Sequence, residues 1–166
     1  KKHDFAIKYN LLIILSGPEP QRSLFEDMLI SQLKNHKGPV VLVRGLPVSG
    51  KKLYNGMTHL VIHDHLPANE LNELIQQSEN IIARCGYSSV MDLVTLKHKA
   101  ILVPTPCQTE QEYLADYLMK KKLFYTCSQE NFLLEHALER AKDFDFTAFN
   151  GIREIQNDVI VNWIRK

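Results

Sequence analysis

The chain has 166 residues, 45% of them apolar and 23% charged, which is enough for one compact domain with a buried core. Lysine and arginine (20) nearly balance aspartate and glutamate (19), which excludes a global field that would draw the protein to nucleic acid or a membrane. Cys85, Cys107 and Cys127 form no CxxC pair, and we find no signal peptide or run of roughly 20 apolar residues, so a cytoplasmic protein is expected.

Short apolar runs alternate with amphipathic segments along the chain. The apolar runs predict strands at 11–15, 40–43, 59–62, 80–83, 100–103 and, more briefly, 123–125. Apolar side chains at three- and four-residue spacing predict helices at 22–36, after Pro67, and at 88–96, 109–119, 129–142 and 149–164. Because the strands are apolar throughout and each precedes a helix, we expect a doubly wound, Rossmann-like α/β domain with a parallel sheet of about six strands.

In such a sheet the ligand binds at the carboxyl ends of the strands, so the turns after the first, fourth and fifth strands are the candidate site. The first turn, residues 16–22, contains Gly17 and leads into a helix whose amides could hold a phosphate. However, Pro18 and Pro20 lack N–H donors. A rigid loop with a proline-led helix start explains this turn equally well.

The second turn carries more polar groups near a helix start. Gly86 permits close backbone approach, and Ser88 and Ser89 can cap the helix or donate hydroxyls to a phosphate. Arg84 at the end of the strand can pair with a diphosphate, and Asp92 can accept both hydroxyls of a ribose. The alternative is a capped helix with a solvated arginine and a surface aspartate.

The third turn, residues 104–112, leaves a buried strand and enters a helix with a polar first turn. Gln111 and Glu112 offer donors and acceptors for sugar hydroxyls. A capping-box start is the alternative, with Thr109 at the cap and Glu112 three residues on.

A cluster of histidines near the third strand suggests a competing site. His59, His63, Asp64 and His65 are close in sequence, and a metal site is conceivable there. Solvated or hydrogen-bonded histidines at a strand end are the commoner situation, so we expect no metal.

The stretch from Ile81 to Tyr113 reads IIARCGYSSVMDLVTLKHKAILVPTPCQTEQEY. It resembles the C-terminal, donor-binding domain of glycosyltransferase family 28, which has R-x-G, small polar residues and an acid, then VP, a short polar loop, and Q before an aromatic residue. The resemblance extends over about residues 11–119. It implies that residues 1–166 are one nucleotide-sugar-binding domain, the C-terminal half of a two-domain GT-B glycosyltransferase.

The resemblance assigns roles to matching positions. It implies diphosphate binding by Gly17, Arg84, Gly86, Ser88 and Ser89, ribose binding by Asp92, a base-lining segment at Leu66 and Ala68, and donor-sugar binding by Gln108, Gln111 and Glu112. The chain departs from the family pattern at three of these places. The first loop lacks a second glycine, Asp92 replaces a glutamate, and Glu112 replaces a glutamine.

The implied activity is transfer of a hexose or N-acetylhexosamine from a nucleotide-diphospho-sugar, with a UDP-sugar expected, by inversion and without a metal or other cofactor. In this family a separate N-terminal domain binds the acceptor and supplies the catalytic base, so no catalytic residue is expected in this chain. The start at Lys1-Lys2-His3 rather than methionine suggests a fragment of a longer protein, although removal of a tag would give the same start. Without the acceptor half, we expect the chain to bind the donor but not to turn it over. The resemblance allows a peripheral membrane contact through the missing domain, and no nucleic-acid partner is expected.

Three alternatives remain open on the sequence. The chain could be a soluble subunit that needs a separate acceptor-binding partner, as in the split enzymes of this family. It could be a non-catalytic Rossmann-like interaction module, since this architecture hosts many functions. A nucleotide-sugar epimerase of the same architecture is the third.

Overall fold

In the computed structural model, residues 6–47 and 56–150 are described, and strands alternate with helices along them. The strands are β1 (Tyr9–Ile14), β2 (Val40–Val43), β3 (Leu60–His63), β4 (Ser78–Arg84), β5 (Ile101–Val103) and β6 (Tyr125–Thr126). The helices are α1 (Gln21–Leu33), α2 (Ala68–Gln76), α3 (Tyr87–Thr95), α4 (Thr109–Lys120), α5 (Leu134–Asp143) and α6 (Thr147–Asn150).

The strands form one six-stranded sheet in the order β3-β2-β1-β4-β5-β6, and every neighbouring pair is parallel. β1 lies at the centre, and its residues Leu11, Leu12 and Ile13 are fully buried. A strand buried on both faces must be apolar throughout, which is why this run showed no alternation. The predicted doubly wound α/β fold is confirmed.

Successive side chains of each strand point to opposite faces of the sheet and enter two separate cores. Leu12 belongs to the core under α2, α3 and α4, which we call the α3 face. Leu11 and Ile13 belong to the core under α1 and α5, which we call the α1 face. Within the described segments, no helix combines the length and the apolarity that crossing a bilayer requires.

The segment before α5 departs from the prediction. A helix was expected from residue 129, but α5 begins at Leu134. The preceding residues run along α1, where the Gln32 side-chain amide donates to the Phe132 carbonyl at 2.9 Å and accepts from the Leu134 amide at 2.6 Å. Asn131 has a positive φ of 56°, which a helix does not allow. These contacts with a distant helix explain why local periodicity placed the start too early.

Other boundaries differ by a few residues. β6 lies at Tyr125–Thr126 rather than 123–125, because Leu123 and Phe124 are buried in the core of the α3 face just before the strand. The predicted helix at 149–164 falls almost entirely outside the described residues.

Candidate functional site

The predicted crevice lies at the carboxyl edge of the sheet, between β1 and β4. These strands are direct neighbours, with Ile14 opposite Ala83. The helices that follow them pack on opposite faces, α1 on one and α3 on the other. Because the two connections diverge, the turns after β1 and β4 are where a doubly wound sheet is expected to hold its ligand.

The turn after β4 leads into α3, and the N-terminus of this helix has no side-chain cap. Gly86 precedes α3 with an extended backbone (φ −81°, ψ 147°), and no side chain caps the helix start. Capping by Ser88 or Ser89 is therefore not observed; Ser88 is exposed and Ser89 is half-buried. A Cβ built on Gly86 would meet no described atom within 4 Å. An uncapped, positive helix end with no described atom close to Gly86 is an arrangement suited to an anion.

Two further candidate groups lie on the α3 side of this turn. Asp92 is exposed and lies four residues after Ser88, so the two share one side of α3. Leu66 is half-buried and packs against the same core as α3, and Ala68 is exposed as the first residue of α2. The ribose and base positions implied by the resemblance therefore lie on the same face of the sheet as the helix start.

The turn after β1 approaches the turn after β5. Gly17 is exposed with a φ of 99°, a conformation that favours glycine, and a Cβ built there would lie 3.3 Å from the Thr105 Oγ1. Few amides of this turn are free to hold a phosphate, because Arg22 already donates its amide to the Pro18 carbonyl at 3.1 Å. Gly17 therefore belongs to the carboxyl edge, close to the fifth strand's turn.

Arg84 is fully buried rather than solvated. Its Nη2 donates to the Gln21 carbonyl at 3.0 Å and its Nη1 to the Pro104 carbonyl at 3.4 Å. Its guanidinium carbon lies 4.4 Å from the centre of the Phe25 ring. Burial lowers the pKa of Arg84 to about 10. In this structure the guanidinium connects the turns after β1 and β5 and does not reach the surface of the crevice.

In the turn after β5, the side chains predicted to bind the sugar make hydrogen bonds to other groups of the same turn. The Gln111 Oε1 accepts from the Thr105 amide at 3.0 Å, and its Nε2 donates to the Gln108 Oε1 at 2.6 Å. The Glu112 Oε1 accepts from the Cys107 amide at 3.0 Å. The alternative, a capping box with Thr109 at the cap, is not observed, since Gln108 is the cap residue and makes no side-chain cap bond. These polar groups therefore hold the turn itself together.

A buried ionic cluster at the same edge was missed in the sequence. The Glu26 side chain is fully buried; its Oε2 accepts from the Arg22 Nη1 at 2.5 Å and its Oε1 from the Arg44 Nε at 3.0 Å. Arg44 also donates to Asp64 at 2.7 Å, and Arg22 pairs with Glu19. The cluster ties α1 to the ends of β2 and β3. Its signal was the four-residue spacing of Arg22 and Glu26, which places both side chains on one side of α1.

The histidines do not gather around a common point. The His59 Nε2 is hydrogen-bonded to the Leu33 carbonyl at 3.1 Å, and Asp64 is engaged by Arg44. Among residues 6–47 and 56–150, no three histidine, cysteine, aspartate or glutamate side chains are grouped so as to hold a metal ion.

A cavity of about 380 Å³ lies at the opposite, amino edge of the sheet. The His36 ring lines it, bonded to Glu135 at 2.7 Å and to Asn10 at 2.8 Å. None of the predicted donor-site residues lines this cavity. The candidate site at the carboxyl edge is therefore separate from this cavity.

Comparison with known proteins places this geometry in a family. Residues 53–147, more than half of the chain, match the model of the glycosyltransferase family 28 C-terminal domain. The chain is similar to MurG of Acinetobacter baumannii (18% identity, TM-score 0.62, 99% of this chain and 50% of that one). It is also similar to the glycosyltransferase SnogD from Streptomyces nogalater (13% identity, TM-score 0.60, 93% and 38%).

Both similarities show the GT-B fold, and the chain spans two fifths to one half of the length of these proteins. A third structure, of ALG13, has a similar size: the match covers 86% of this chain and 98% of that one, at 13% identity and a TM-score of 0.51. No curated protein sequence matched. The chain belongs to glycosyltransferase family 28, of which it carries the C-terminal domain.

Proposed function

We propose that this chain is the donor-binding domain of a glycosyltransferase and holds a nucleotide-diphospho-sugar at the carboxyl edge of β1, β4 and β5. The single observation that carries the proposal is the uncapped start of α3, with open space beside Gly86 at the point where the two halves of the sheet diverge. A diphosphate there would accept from free amides at the positive end of a helix. Family membership supports the same chemistry.

In this proposal the remaining residues contact different parts of the donor. Ser88 and Ser89 donate hydroxyls to the diphosphate, and Asp92, on the same side of α3 as Ser88, accepts from the ribose hydroxyls. The base lies along Leu66 and Ala68. Gln108, Gln111 and Glu112 contact the sugar from the turn after β5, and Gly17 faces the diphosphate from the turn after β1. A UDP-hexose or UDP-N-acetylhexosamine is the donor we propose.

The reaction we propose is a direct, inverting displacement without a metal ion. The departing diphosphate gains negative charge, and fixed amides at the start of α3 stabilise it without reorganisation. The acceptor and the general base come from a second domain. Because the chain spans half or less of two similar transferases, we expect it to bind the donor but not to transfer the sugar alone.

The acceptor half is either part of the same polypeptide or a separate subunit. We also propose a cytoplasmic location, in keeping with the three free cysteines. Any membrane contact is assigned to the acceptor half.

Calorimetric titration with UDP-, GDP- and dTDP-sugars tests the proposal, and UDP-sugars should bind most tightly. Asp92→Asn should weaken UDP binding roughly tenfold, because ribose hydroxyls lose a charged acceptor. Glu110→Gln is the matched control, since Glu110 is also an exposed acid in a helix but has no proposed role. Equal affinities for both variants and the wild type would remove Asp92 from the site, and absence of all nucleotide binding would defeat the proposed function.

A further inference from the structure

The exposed lysines of residues 6–47 and 56–150 lie at the amino edge of the sheet, opposite the proposed donor site. Five of them occupy two neighbouring connections, from α3 to β5 and from α4 to β6. These connections are adjacent because β5 and β6 are paired, with Ile101 opposite Tyr125. The near balance of charge over the whole chain therefore hides a local excess of positive charge. We call this group the lysine corner, and its members are Lys97, Lys99, Lys120, Lys121 and Lys122.

The two helices that lead into the lysine corner end in the same geometry. In each, the residue after the C-cap donates its amide to the carbonyl three residues earlier, at 3.1 Å for Lys97 and 3.0 Å for Lys122. Both lysines have a positive φ, 56° and 55°, at a position where glycine is the usual residue. Attraction to the terminal carbonyls of a helix accounts for one cation at each helix end, but not for five in two turns. The excess of lysine is therefore not explained by the helices alone.

Only part of this charge is neutralised within the chain. Lys120 pairs with Asp116 at 2.6 Å and Lys122 with Asp145 at 2.7 Å. Within the part of the chain that the structure describes, no carboxylate lies at ion-pair distance from the other three members, which leaves their charges available to a partner: Lys97, Lys99 and Lys121.

Two of these three lysines extend over aromatic rings. The Lys99 Nζ lies 4.8 Å from the centre of the Phe146 ring, and the Lys121 Nζ lies 5.8 Å from the centre of the Tyr117 ring. A ring beneath an ammonium group favours one direction of a long side chain while the group stays exposed to solvent. Because less side-chain entropy remains to be lost, such lysines bind a partner at a smaller entropic cost than freely moving ones.

The acids of the same edge indicate how large the partner's contact can be. Glu79 and Glu139 are exposed and line the cavity at the amino edge, and Asp143 is exposed at the end of α5. A broad negative surface, such as a membrane or a nucleic acid, would bring these acids against its own charges and be repelled by them. A short acidic segment can contact the lysine corner without covering them. The charge pattern therefore favours a peptide-sized partner.

We propose that the lysine corner is a docking site for a short acidic segment of a partner protein, whose carboxylates pair with Lys97, Lys99 and Lys121. The site lies at the edge of the sheet opposite the turns after β1, β4 and β5, so a partner held there leaves those turns open. The inference does not depend on the proposed function.

The test titrates the whole chain with octaglutamate, a synthetic peptide of eight glutamates, by calorimetry at low ionic strength. Each exposed ion pair corresponds to roughly a 1.5- to 5-fold change in affinity, so replacing Lys97, Lys99 and Lys121 together with glutamine should weaken binding about tenfold. The matched control replaces Lys8, Lys34 and Lys37 with glutamine, which removes the same charge from the β1 and β2 end of the same edge. It should change the affinity by less than about twofold, because salt screens charges that are far from the peptide.

Equal weakening by the two triple variants would mean diffuse attraction rather than a site, and it would overturn the inference, as would a wild type that does not bind octaglutamate. A second readout uses the wild type alone, so that the result does not depend on whether the variants fold. The backbone NMR signals of Lys97, Lys99 and Lys121 should shift on addition of octaglutamate, whereas those of Lys34 and Lys37 should not. Shifts spread over all of these lysines would contradict a defined site.

A membrane as the true partner is tested with vesicles of phosphatidylcholine and phosphatidylserine. The chain should not sediment with them under the conditions in which it binds octaglutamate. Sedimentation that is lost on replacement of Lys97, Lys99 and Lys121 would assign the lysine corner to a lipid surface and overturn the proposed protein partner.

Discussion

Replacing Gly86 with aspartate should raise the stability of the chain and weaken donor binding at the same time. The backbone of Gly86 is extended, and a Cβ there meets no described atom within 4 Å, so any residue fits. Aspartate at this position can accept from the free amides of α3, which is worth a few tenths of a kcal/mol over glycine. Loss of glycine's freedom in the unfolded chain adds about 0.4–1 kcal/mol. Together they amount to about 1 kcal/mol, or roughly a 3 °C rise in Tm for a chain of this size.

The same substitution occupies the amides at the start of α3 to which the diphosphate would bind. Each charge-assisted amide contact contributes about 1.5–3 kcal/mol, so losing one weakens UDP binding roughly 10- to 100-fold, and the added negative charge weakens it further. Gly86→Asn is the matched control, because it caps the helix without the charge and should lie between wild type and Gly86→Asp in affinity. Thermal melts and titrations with UDP measure both effects. If both variants melt higher and bind UDP as tightly as the wild type, the start of α3 is not the diphosphate site.

Two further predictions concern the buried ionic cluster around Glu26 and the reactivity of the cysteines. Glu26→Gln should destabilise the protein by about 3 kcal/mol in urea unfolding, because it withdraws a buried carboxylate from two arginines, whereas Glu110→Gln on the surface should change stability by less than about 0.5 kcal/mol. At pH 8 a thiol reagent should modify the exposed Cys107 first, since burial raises the pKa of both Cys85 and Cys127 to about 12. Mass spectrometry of the labelled chain would contradict this if Cys85 reacted as fast as Cys107.

The fold was predictable because its pattern is repeated and local. The central strand contributes Leu11, Leu12 and Ile13 to both faces of the sheet, and a strand buried on both sides leaves an unbroken apolar run in the sequence. The start of α5 was not predictable from local pattern, because a glutamine on α1, a hundred residues away in sequence, holds the segment before it in a non-helical course. Tertiary contacts of this kind override periodicity wherever a segment lies against another element.

The site was only partly predictable. Gly86 and the start of α3 follow from a glycine after an apolar run and before a helical one, which is local information. The burial of Arg84 is not local: an arginine at the end of a strand ordinarily reaches solvent, and only the approach of the turns after β1 and β5 covers it. The pair Arg22 and Glu26 carried a readable signal in its spacing, but its third member, Arg44, belongs to another strand.

The distribution of exposed charge explains why the donor site should be weak in this chain alone. The lysines of the described segments lie away from the carboxyl edge, in turns that lead into strands or at the end of a helix: Lys8, Lys34, Lys37, Lys97, Lys99, Lys120, Lys121, Lys122 and Lys142. The carboxyl edge instead exposes acids such as Glu19, Asp92 and Glu112. Under the proposed function, a diphosphate would be attracted there by the amides of α3 and repelled by these exposed acids. Adding the acceptor half should therefore tighten UDP binding as well as enable transfer, because it would supply exposed cations or exclude water from the cleft.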